Sequence, residues 1–282
     1  MKNLSHVFIP FLCFAGTANA VLYTSTGTSG NITDATVWTS GAIPAAGNTY
    51  QLDHDLGPGR DTTFVGDLVV NTGRLMWNST VAATSILTVG SAGSLTLNSG
   101  GKIRVHNTSP FALDLNGRTF TLNGGALDLG AKSGSLSVSN GNLAGSGTIN
   151  IVENDSGPVG TMSFSNDVNF SGFTGVFNIN SNDAVFALPS ITTESFGLTI
   201  AAGVYDNSAD VSLTTLTIAG NSVVAGLYTR AQLLDYGTTE YGADWSSYIS
   251  DNGGTLTVVP ESDTYALIGG LFALSFVILR RS

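Results

Sequence analysis

The fold is decided by a stretch that holds two copies of one short pattern, residues 87–101, LTVGSAGSLTLNSGG. In each copy, residues 87–89 and 95–97, a threonine stands between two apolar residues. Side chains of a β-strand point alternately to its two faces, so each triplet predicts a short strand with one apolar and one hydroxylated face. Asn98 and the glycines accept turn conformations at little cost, and they therefore predict turns between the strands.

The same pattern recurs along most of the chain. Many of the intervals between copies lie near multiples of about eight residues, and three such steps make a coil of about 24 residues, within the range of solenoid repeats. This spacing predicts an all-β fold, a right-handed parallel β-helix whose stacked coils bury a ladder of Leu, Ile and Val. The alternative is an antiparallel β-sandwich or jelly roll, which uses equally short strands and as many glycines. The further copies occupy residues 120–122, 136–138, 198–200, 216–218 and 256–258.

Aromatic residues near both ends of the repeat region predict short terminal caps. Trp38 is expected to plug the open end of the core at the first coil. Near the other end, residues 226–234 predict a turn and about two helical turns with Thr229 as the N-cap. Trp245 follows, and then a last strand over residues 255–259. A bare final coil would offer unpaired strand edges to other molecules, which gives caps a physical reason.

Composition excludes several kinds of partner and chemistry. Residues 21–259 hold seven Lys or Arg and eighteen Asp or Glu, a net charge of −11, which disfavours binding to nucleic acid. Cys13 is the only cysteine and precedes this region, so the region has no disulfide and no thiolate ligand or nucleophile. Its two histidines, His54 and His106, are far apart in sequence and lack the spacing of a zinc or iron site.

The first residues of the chain predict a secretory signal peptide. Lys2 precedes an apolar run, residues 7–15, and Ala18 and Ala20 then supply the small residues of a cleavage site. We expect cleavage after Ala20, so that Val21 begins the mature chain. Export from the cytoplasm follows from this prediction.

The last 23 residues predict a membrane-targeting tail. Pro260 and Glu261 lie in a polar break, residues 264–279 carry no charge, and Arg280 and Arg281 follow them. Basic residues beside an apolar segment favour the cytoplasmic side of a membrane. A 16-residue helix rises about 24 Å, less than the roughly 30 Å of hydrocarbon that a stable span crosses. The tail is therefore expected to hold the chain in a membrane only transiently.

This tail resembles the PEP-CTERM sorting signal of bacterial envelope proteins, which combines a Pro-Glu-Pro motif, a short transmembrane helix and an arginine cluster. Pro260, Glu261, Arg280 and Arg281 match the motif, and Ser262 stands in place of its second proline. The resemblance implies processing by an exosortase at the membrane. It also implies delivery to the cell surface or the extracellular matrix, and it implies no particular activity.

The two terminal signals divide the chain into a signal peptide (1–20), a β-helical passenger domain (21–259) and a sorting tail (260–282). Within the passenger, residues 126–151 resemble the repeats of autotransporter-type surface proteins. Residues 226–249 resemble a closing element that precedes many PEP-CTERM tails. These resemblances imply a surface protein.

One acidic turn could bind a metal ion. Asp53, Asp55 and Asp61 lie close together in sequence, and their carboxylates are the type of oxygen ligand that calcium prefers. Gly57 stands where an EF-hand loop has a third ligand. We therefore expect a solvated turn at this position, and no metal site is predicted.

Two further groups of residues could contact carbohydrate. Lys102, Arg104 and His106 alternate with apolar residues, so that all three lie on one outer strand face, where they could grip a uronate or a sulfate. We expect instead an ordinary solvated charged face. Sugar rings could also stack on the tryptophans, although this residue is more often buried. The tryptophans are Trp38, Trp77 and Trp245.

The sequence predicts no catalytic, cofactor-binding or metal-binding residues, and it contains no nucleophile elbow, phosphate loop or zincin helix. We therefore predict an exported structural or adhesive protein of the bacterial cell envelope, with an exosortase and extracellular polysaccharide as partners. The alternative is a polysaccharide-active enzyme or a carbohydrate-binding module on a β-helix. An enzyme would gather Asp, Arg or Lys in one groove, whereas this sequence spreads Ser, Thr and Asn evenly.

Overall fold

Short strands joined by turns make up most of the described chain. The computed structural model describes residues 20–259 apart from 28–29, 59–60, 79–83, 107–109, 131–133, 154–158 and 193–194, and it leaves the side chains of Asn78 and His106 undescribed. These ranges contain one 3-10 helix, Ala35–Val37, and one α-helix, α1, Arg230–Tyr241. In chain order the strands are β1 Leu22–Thr24, β2 Thr49–Leu52, β3 Thr62–Phe64, β4 Asp67–Val70, β5 Arg74–Asn78, β6 Ser85–Val89, β7 Leu95–Leu97, β8 Lys102–His106, β9 Phe111–Leu122, β10 Ala126–Asp128, β11 Ser135–Gly145, β12 Thr148–Val152, β13 Gly160–Phe164, β14 Val168–Phe173, β15 Val176–Ile179, β16 Ala184–Ala187, β17 Gly197–Ile200, β18 Val204–Asp206, β19 Val211–Leu213, β20 Thr215–Ile218, β21 Asn221–Val223, β22 Gly226–Thr229 and β23 Thr255–Val258.

The strands form two large sheets and one small sheet. The first large sheet follows the order β1-β2-β4-β7-β9-β11-β13-β16-β18, with β14 paired to β11 and β6 paired to both β3 and β9. The second follows the order β21-β20-β17-β15-β12-β10-β8-β5, and the small sheet the order β19-β23-β22. In both large sheets every pairing except that of β20 with β21 is parallel.

Parallel pairing between successive coils produces a β-solenoid of about six turns with one helix. The predicted all-β class and the parallel stacking of coils are therefore confirmed. The alternative of an antiparallel β-sandwich or jelly roll is wrong, because among the described residues only two pairs of named strands, β20 with β21 and β22 with β23, are antiparallel.

Strands β9 and β11 each turn a corner and contribute to two faces of the solenoid. The first half of β9 pairs with β6, with Phe111 opposite Ser85, and the second half pairs with β7, with Phe120 opposite Leu95. At its corner Asn116 has a φ of 50°, in the left-handed region that asparagine tolerates better than most residues. The first large sheet therefore supplies two faces, and the second large sheet supplies the third.

The core consists of columns in which one apolar side chain of each coil stacks on the next. Residues of one such column in the second large sheet are each at most 1% exposed, and burial of a side chain of this size contributes about 1.5–3 kcal/mol. The interval in sequence is 24 residues in the middle of the column, as predicted, and falls to 18 at its end. The column consists of Leu75, Ile103, Leu127, Ile151, Ile179, Ile200 and Ile218.

Near the N-terminal end, Trp38 is buried beside the first coil, at the position where the sequence predicts a plug for the core. The residue is 1% exposed, and its indole Nε1–H donates a hydrogen bond to the carbonyl of Ile32 at 2.8 Å. Its ring meets that of Tyr50 edge-on, with 5.2 Å between the centroids. Trp38 also forms an antiparallel bridge with Ser25, the residue that follows β1, so a segment that runs against the sheet covers this edge.

At the C-terminal end, α1 begins where the sequence predicts and continues further. Thr229 and Gln232 form a capping box in which each side chain accepts the other residue's backbone N–H. The helix continues to Tyr241 instead of ending after the two turns predicted, and Gly242, with a φ of 63°, is its C-cap. The predicted turn before it is the strand β22, which pairs antiparallel with β23. The predicted last strand is confirmed as β23, and Trp245 is fully buried.

Both terminal signals fall at or beyond the limits of the described residues. Ala18, Pro260, Glu261, Arg280 and Arg281 lie outside them, as does the apolar stretch over residues 264–279. Ala20 is described and is exposed. Within the described part of the chain, no helix has the length and apolar character required to cross a membrane.

Candidate functional site

The predicted acidic turn borders an open depression near the N-terminal end of the solenoid. The depression has a volume of about 430 Å³. It lies at the corner that follows β2 and, one coil later, joins β4 of the first large sheet to β5 of the second. Its lining residues are Gly27, Asp53, His54, Asp55, Thr72 and Gly73.

Asp53 is engaged by neighbouring side chains on both of its oxygens. Its Oδ1 accepts hydrogen bonds from Asn71 Nδ2 at 2.9 Å and Thr72 Oγ1 at 3.2 Å, and its Oδ2 accepts one from Gln51 Nε2 at 2.8 Å. Partial burial raises the pKa of Asp53, but these three donors together outweigh burial and hold its pKa below the usual value. The carboxylate is therefore a hydrogen-bond acceptor of the protein itself.

The other two carboxylates of the turn have different partners. Asp55 forms a two-pronged ion pair with the Arg74 guanidinium, Nε donating to Oδ1 at 2.9 Å. This hydrogen-bonded cation holds the pKa of Asp55 below its usual range. Asp61 accepts a hydrogen bond from the backbone N–H of Ile86 at 3.3 Å. Within the described ranges, no three His, Cys, Asp or Glu side chains come together in a way that could hold a metal ion.

A serine and a histidine meet beside this depression, although they are far apart in sequence. Ser25 Oγ lies 3.1 Å from His54 Nδ1. The same oxygen accepts hydrogen bonds from the backbone N–H groups of Asp53 at 3.0 Å and His54 at 3.1 Å. Both lone pairs of the hydroxyl are then occupied, and Ser25 is only 5% exposed. The pair is therefore suited to tying β1 to the first coil and unsuited to nucleophilic catalysis.

A ladder of side-chain amides continues from Asp53 along the same corner. Asn71 Nδ2 donates to Asp53, Asn98 Nδ2 donates to Asn71 Oδ1 at 3.2 Å, and Asn123 Nδ2 donates to Asn98 Oδ1 at 3.2 Å. A side-chain amide can donate to one neighbour and accept from the other, and coils that pair in parallel lie about 4.8 Å apart. Hydrogen bonds of the same kind join Asn178 Nδ2 to Asn150 Oδ1 at 2.8 Å and Asn169 Nδ2 to Asn142 Oδ1 at 3.3 Å.

The sequence contains the signal for this ladder, but only its turns were predicted. Asn98 and Asn123 precede paired glycines in the predicted turns, and Asn71 precedes Thr72 and Gly73 in the same way. Asp53 occupies the equivalent position one coil earlier. It accepts the first amide of the ladder, which explains the residue without a metal ion.

The basic strand β8 has the predicted alternation but not the predicted exposed charge. Ile103 and Val105 are fully buried, which confirms that Lys102 and Arg104 lie on the opposite face. The side chain of Arg104 is only 12% exposed, and its Nη1 lies 3.7 Å from Oδ2 of the fully buried Asp128 on the next coil. The expectation of a solvated charged face is therefore wrong for Arg104, because parallel register places a buried carboxylate beside it. The side chain of His106 is outside the described part.

The three tryptophans are all buried, so none of them offers a platform for a sugar ring. Their exposed fractions are 1% for Trp38, 3% for Trp77 and 0% for Trp245. Trp77 stacks on Phe111 with 5.2 Å between ring centroids and an angle of 8° between the planes. Burial of these large rings stabilises the core. The hypothesis of carbohydrate stacking on the tryptophans is wrong.

The outer faces carry hydroxyl and amide side chains in register from coil to coil. Thr96 lies opposite Thr121, and Thr199 lies opposite Thr217. On another face Ser137 lies opposite Ser163.

No protein-family model matches the chain, and comparison with curated proteins and with solved structures gives no match.

Proposed function

We propose that this chain is an exported structural or adhesive protein of the bacterial cell envelope, delivered by its C-terminal tail. The main support for a structural role is that charged side chains of the solenoid bind one another or neighbouring polar groups. Asp53, Asp55, Arg74, Arg104 and Asp128 each have an intramolecular partner. A surface built mainly from hydroxyl and amide groups is suited to hydration and to weak contacts with extracellular polysaccharide.

The delivery route rests on the sequence of the two ends. Ala18 and Ala20 supply the signal-peptide cleavage site, so that residues 1–20 direct export. Pro260 and Glu261 supply the motif that an exosortase reads at the membrane. The uncharged residues 264–279 would anchor the chain in the membrane before processing. The remaining passenger, residues 21–259, is then displayed at the cell surface or in the extracellular matrix.

We also infer that the solenoid is right-handed and that its terminal segments act as caps. Crossover connections between parallel strands are right-handed in nearly all known sheets. The antiparallel pairings at Trp38, β21 and β22 support the capping role, since each places a strand of opposite direction at the end of a sheet. The end strand β21 has only three residues, and very short edge strands discourage addition of further strands.

The proposed protein is not an enzyme and requires no cofactor. A polysaccharide-active enzyme on the same fold has less support. The serine beside His54 has both lone pairs engaged, and the basic strand has Arg104 paired with Asp128. An exosortase and extracellular polysaccharide are the proposed partners, and nucleic acid is not.

Expression in a bacterial host that carries an exosortase tests the delivery route. We expect the wild-type chain to lose its tail and to reach the cell surface or medium. The double variant Pro260→Ala, Glu261→Ala is expected to remain in the membrane fraction with its tail attached. The double variant Lys102→Gln, Arg118→Gln, which alters the passenger only, serves as the control and should behave as wild type. Equal processing of all three chains would contradict the proposed role of the motif.

A further inference from the structure

Four asparagines of the chain are followed directly by glycine, and asparagine is a thermolabile residue that can lose its side-chain amide. They are Asn116, Asn123, Asn140 and Asn252. Glycine favours this reaction because it has no Cβ to hinder attack by its own backbone nitrogen on the preceding side chain. The fold places the four pairs in different surroundings, so their rates of deamidation should differ.

Neighbouring coils restrain three of these pairs. Residues 116–117 lie inside β9 and residues 140–141 inside β11, and the strand residues on either side of them pair in parallel. The pair 123–124 lies against Gly147, where an added Cβ would come within 2.1 Å of the Gly124 nitrogen. Ring closure between side chain and backbone at these pairs therefore first requires local opening of the fold.

The fourth pair, Asn252 and Gly253, lies in a turn between the last coil and β23, outside every strand. Both residues are exposed, and a Cβ added to Gly253 would meet no atom within 4 Å. Gly253 has a φ of 87°, a conformation that glycine adopts readily. Among the described residues, its backbone N–H donates no hydrogen bond. Neither pairing nor crowding therefore protects this nitrogen.

The side chain of Asn252 joins the turn to β18, the last strand of the first large sheet. Its Nδ2 donates to Oδ1 of Asp206 at 2.5 Å and to Oγ of Ser250 at 3.2 Å. The Ser250 hydroxyl donates to the same carboxylate oxygen at 3.0 Å. Backbone hydrogen bonds from Ser250 to Tyr205 and from Tyr205 to Tyr248 lie beside these contacts. The amide of Asn252 therefore helps to hold the C-terminal cap on the last coil.

We propose that Asn252 is a site of spontaneous deamidation and that the reaction loosens the C-terminal cap. The backbone nitrogen of Gly253 attacks Cγ of Asn252, so that an N–Cγ bond forms and the Cγ–Nδ2 bond breaks. The side-chain NH2 group leaves as ammonia with the proton of the Gly253 N–H. Water then adds to one carbonyl of the cyclic imide and opens the ring, which gives aspartate or isoaspartate.

Either product replaces a hydrogen-bond donor by a carboxylate beside Asp206. The bond from Nδ2 is lost, and two like charges at this separation repel each other. Isoaspartate also lengthens the main chain by one carbon and so displaces the turn. The backbone hydrogen bonds among Tyr205, Tyr248 and Ser250 are expected to weaken, whereas strands in the middle of the solenoid keep their pairing.

Peptide mapping by mass spectrometry of the aged full-length protein tests the reaction. One sample is kept folded at mildly alkaline pH and another is unfolded in guanidinium chloride, and the conversion of each pair is followed with time. In the folded protein we expect Asn252 to react about tenfold faster than the other three asparagines, because they require local opening. In the unfolded chain we expect similar rates at all four. Equal rates in the folded protein, or a preference for Asn252 that persists in denaturant, would overturn the proposed site.

Hydrogen exchange tests the consequence for the cap. Asn252→Asp introduces the charge of the product, and the matched control Asn252→Ala removes the donor without adding charge. We expect the amides of Tyr205 and Ser250 to exchange about threefold faster in the aspartate variant than in the alanine variant, because like charges placed opposite each other are destabilising. The amides of β12 should be unchanged. Exchange at Tyr205 and Ser250 that is no faster than in the wild-type chain would overturn the loosening of the cap.

Discussion

The two ends of the solenoid differ in the interactions that cover the core. Each end exposes a cross-section of the core and a strand edge that no further coil covers. The N-terminal end combines rings packed around Trp38 with hydrogen bonds, from Trp38 Nε1–H to Ile32 and between Ser25 and the turn at His54. The C-terminal end is closed by rings packed around Trp245, whose buried Nε1–H has no hydrogen-bond acceptor within the described part.

The two ends should therefore respond differently to the loss of a polar group. A cap held by hydrogen bonds depends on each donor having its acceptor, because a buried group that loses its partner costs about 1–3 kcal/mol. A cap held by packing depends on volume instead. Substitutions matched between the two ends can separate these contributions.

The largest expected effect is removal of either end's tryptophan. Trp38→Ala and Trp245→Ala each remove a fully buried ring, and we expect each to lower the free energy of unfolding by about 3–5 kcal/mol. Urea unfolding followed by circular dichroism measures this. A loss below 1 kcal/mol at one end only would mean that this end is not part of the cooperative core.

Replacement of each tryptophan by phenylalanine keeps a large ring and removes the indole N–H, so it isolates the effect of the polar group at each end. Trp38→Phe leaves the carbonyl of Ile32 without its donor, whereas Trp245→Phe removes an N–H that has no acceptor. We expect Trp38→Phe to cost about 1–3 kcal/mol more than Trp245→Phe. The same unfolding measurement compares them. Equal costs, or a greater cost at Trp245, would contradict the description of the ends.

The helix of the C-terminal cap provides a smaller test. Thr229→Ala removes the side chain that accepts the backbone N–H of Gln232, and we expect a loss of about 1 kcal/mol. Thr229→Ser keeps the hydroxyl and should restore most of this stability. Hydrogen exchange of the amides of α1 should rise in the alanine variant alone.

The smallest expected effect is on the pH dependence of stability. The folded pKa of Asp53 lies below its usual value. The contribution of Asp53 to the free energy of unfolding is therefore complete when the pH is above the ordinary pKa of about 3.9. It is lost as the pH falls through the folded pKa. Asp53→Asn keeps an oxygen that can accept from Asn71 but removes the titration.

Unfolding free energies measured from pH 6 to pH 3 check this prediction. We expect the wild-type chain to lose more stability over this range than Asp53→Asn does. Parallel curves for the two chains would contradict the assignment of Asp53 to the amide ladder. Asp244 at the other end also has a lowered pKa, owing to the backbone N–H of Ser246, but it is fully exposed and should contribute little.

The stacked coils could be predicted from sequence because their signal is local. A threonine between two leucines at residues 95–97 fixes which side chains face inward, and glycines mark the turns. The start of α1 could also be predicted, because Thr229 is a favourable N-cap residue and Gln232 follows it at the spacing of a capping box. Its end could not be predicted, because Gly237 and the threonines that follow have low helix propensity, and Gly237 is retained in the helix by close packing against Trp245.

The details of the candidate site could not be predicted because they depend on register between coils. Arg104 meets Asp128 only because β8 and β10 pair with these residues opposite each other. The interval between coils varies, so a sequence pattern does not say which asparagine meets Asp53. Ser25 and His54 come together through the turn at the end of β2, and neither residue carries a local signal for the other.

Mass spectrometry of the mature protein isolated from its own cells is the most direct test of the proposed export and sorting. The proposed export and sorting predict a chain in the surface or extracellular fraction that begins at Val21 and lacks the apolar residues 264–279. A protein recovered from the cytoplasm, with the signal peptide retained and the tail intact through Arg281, would contradict the proposed export and sorting.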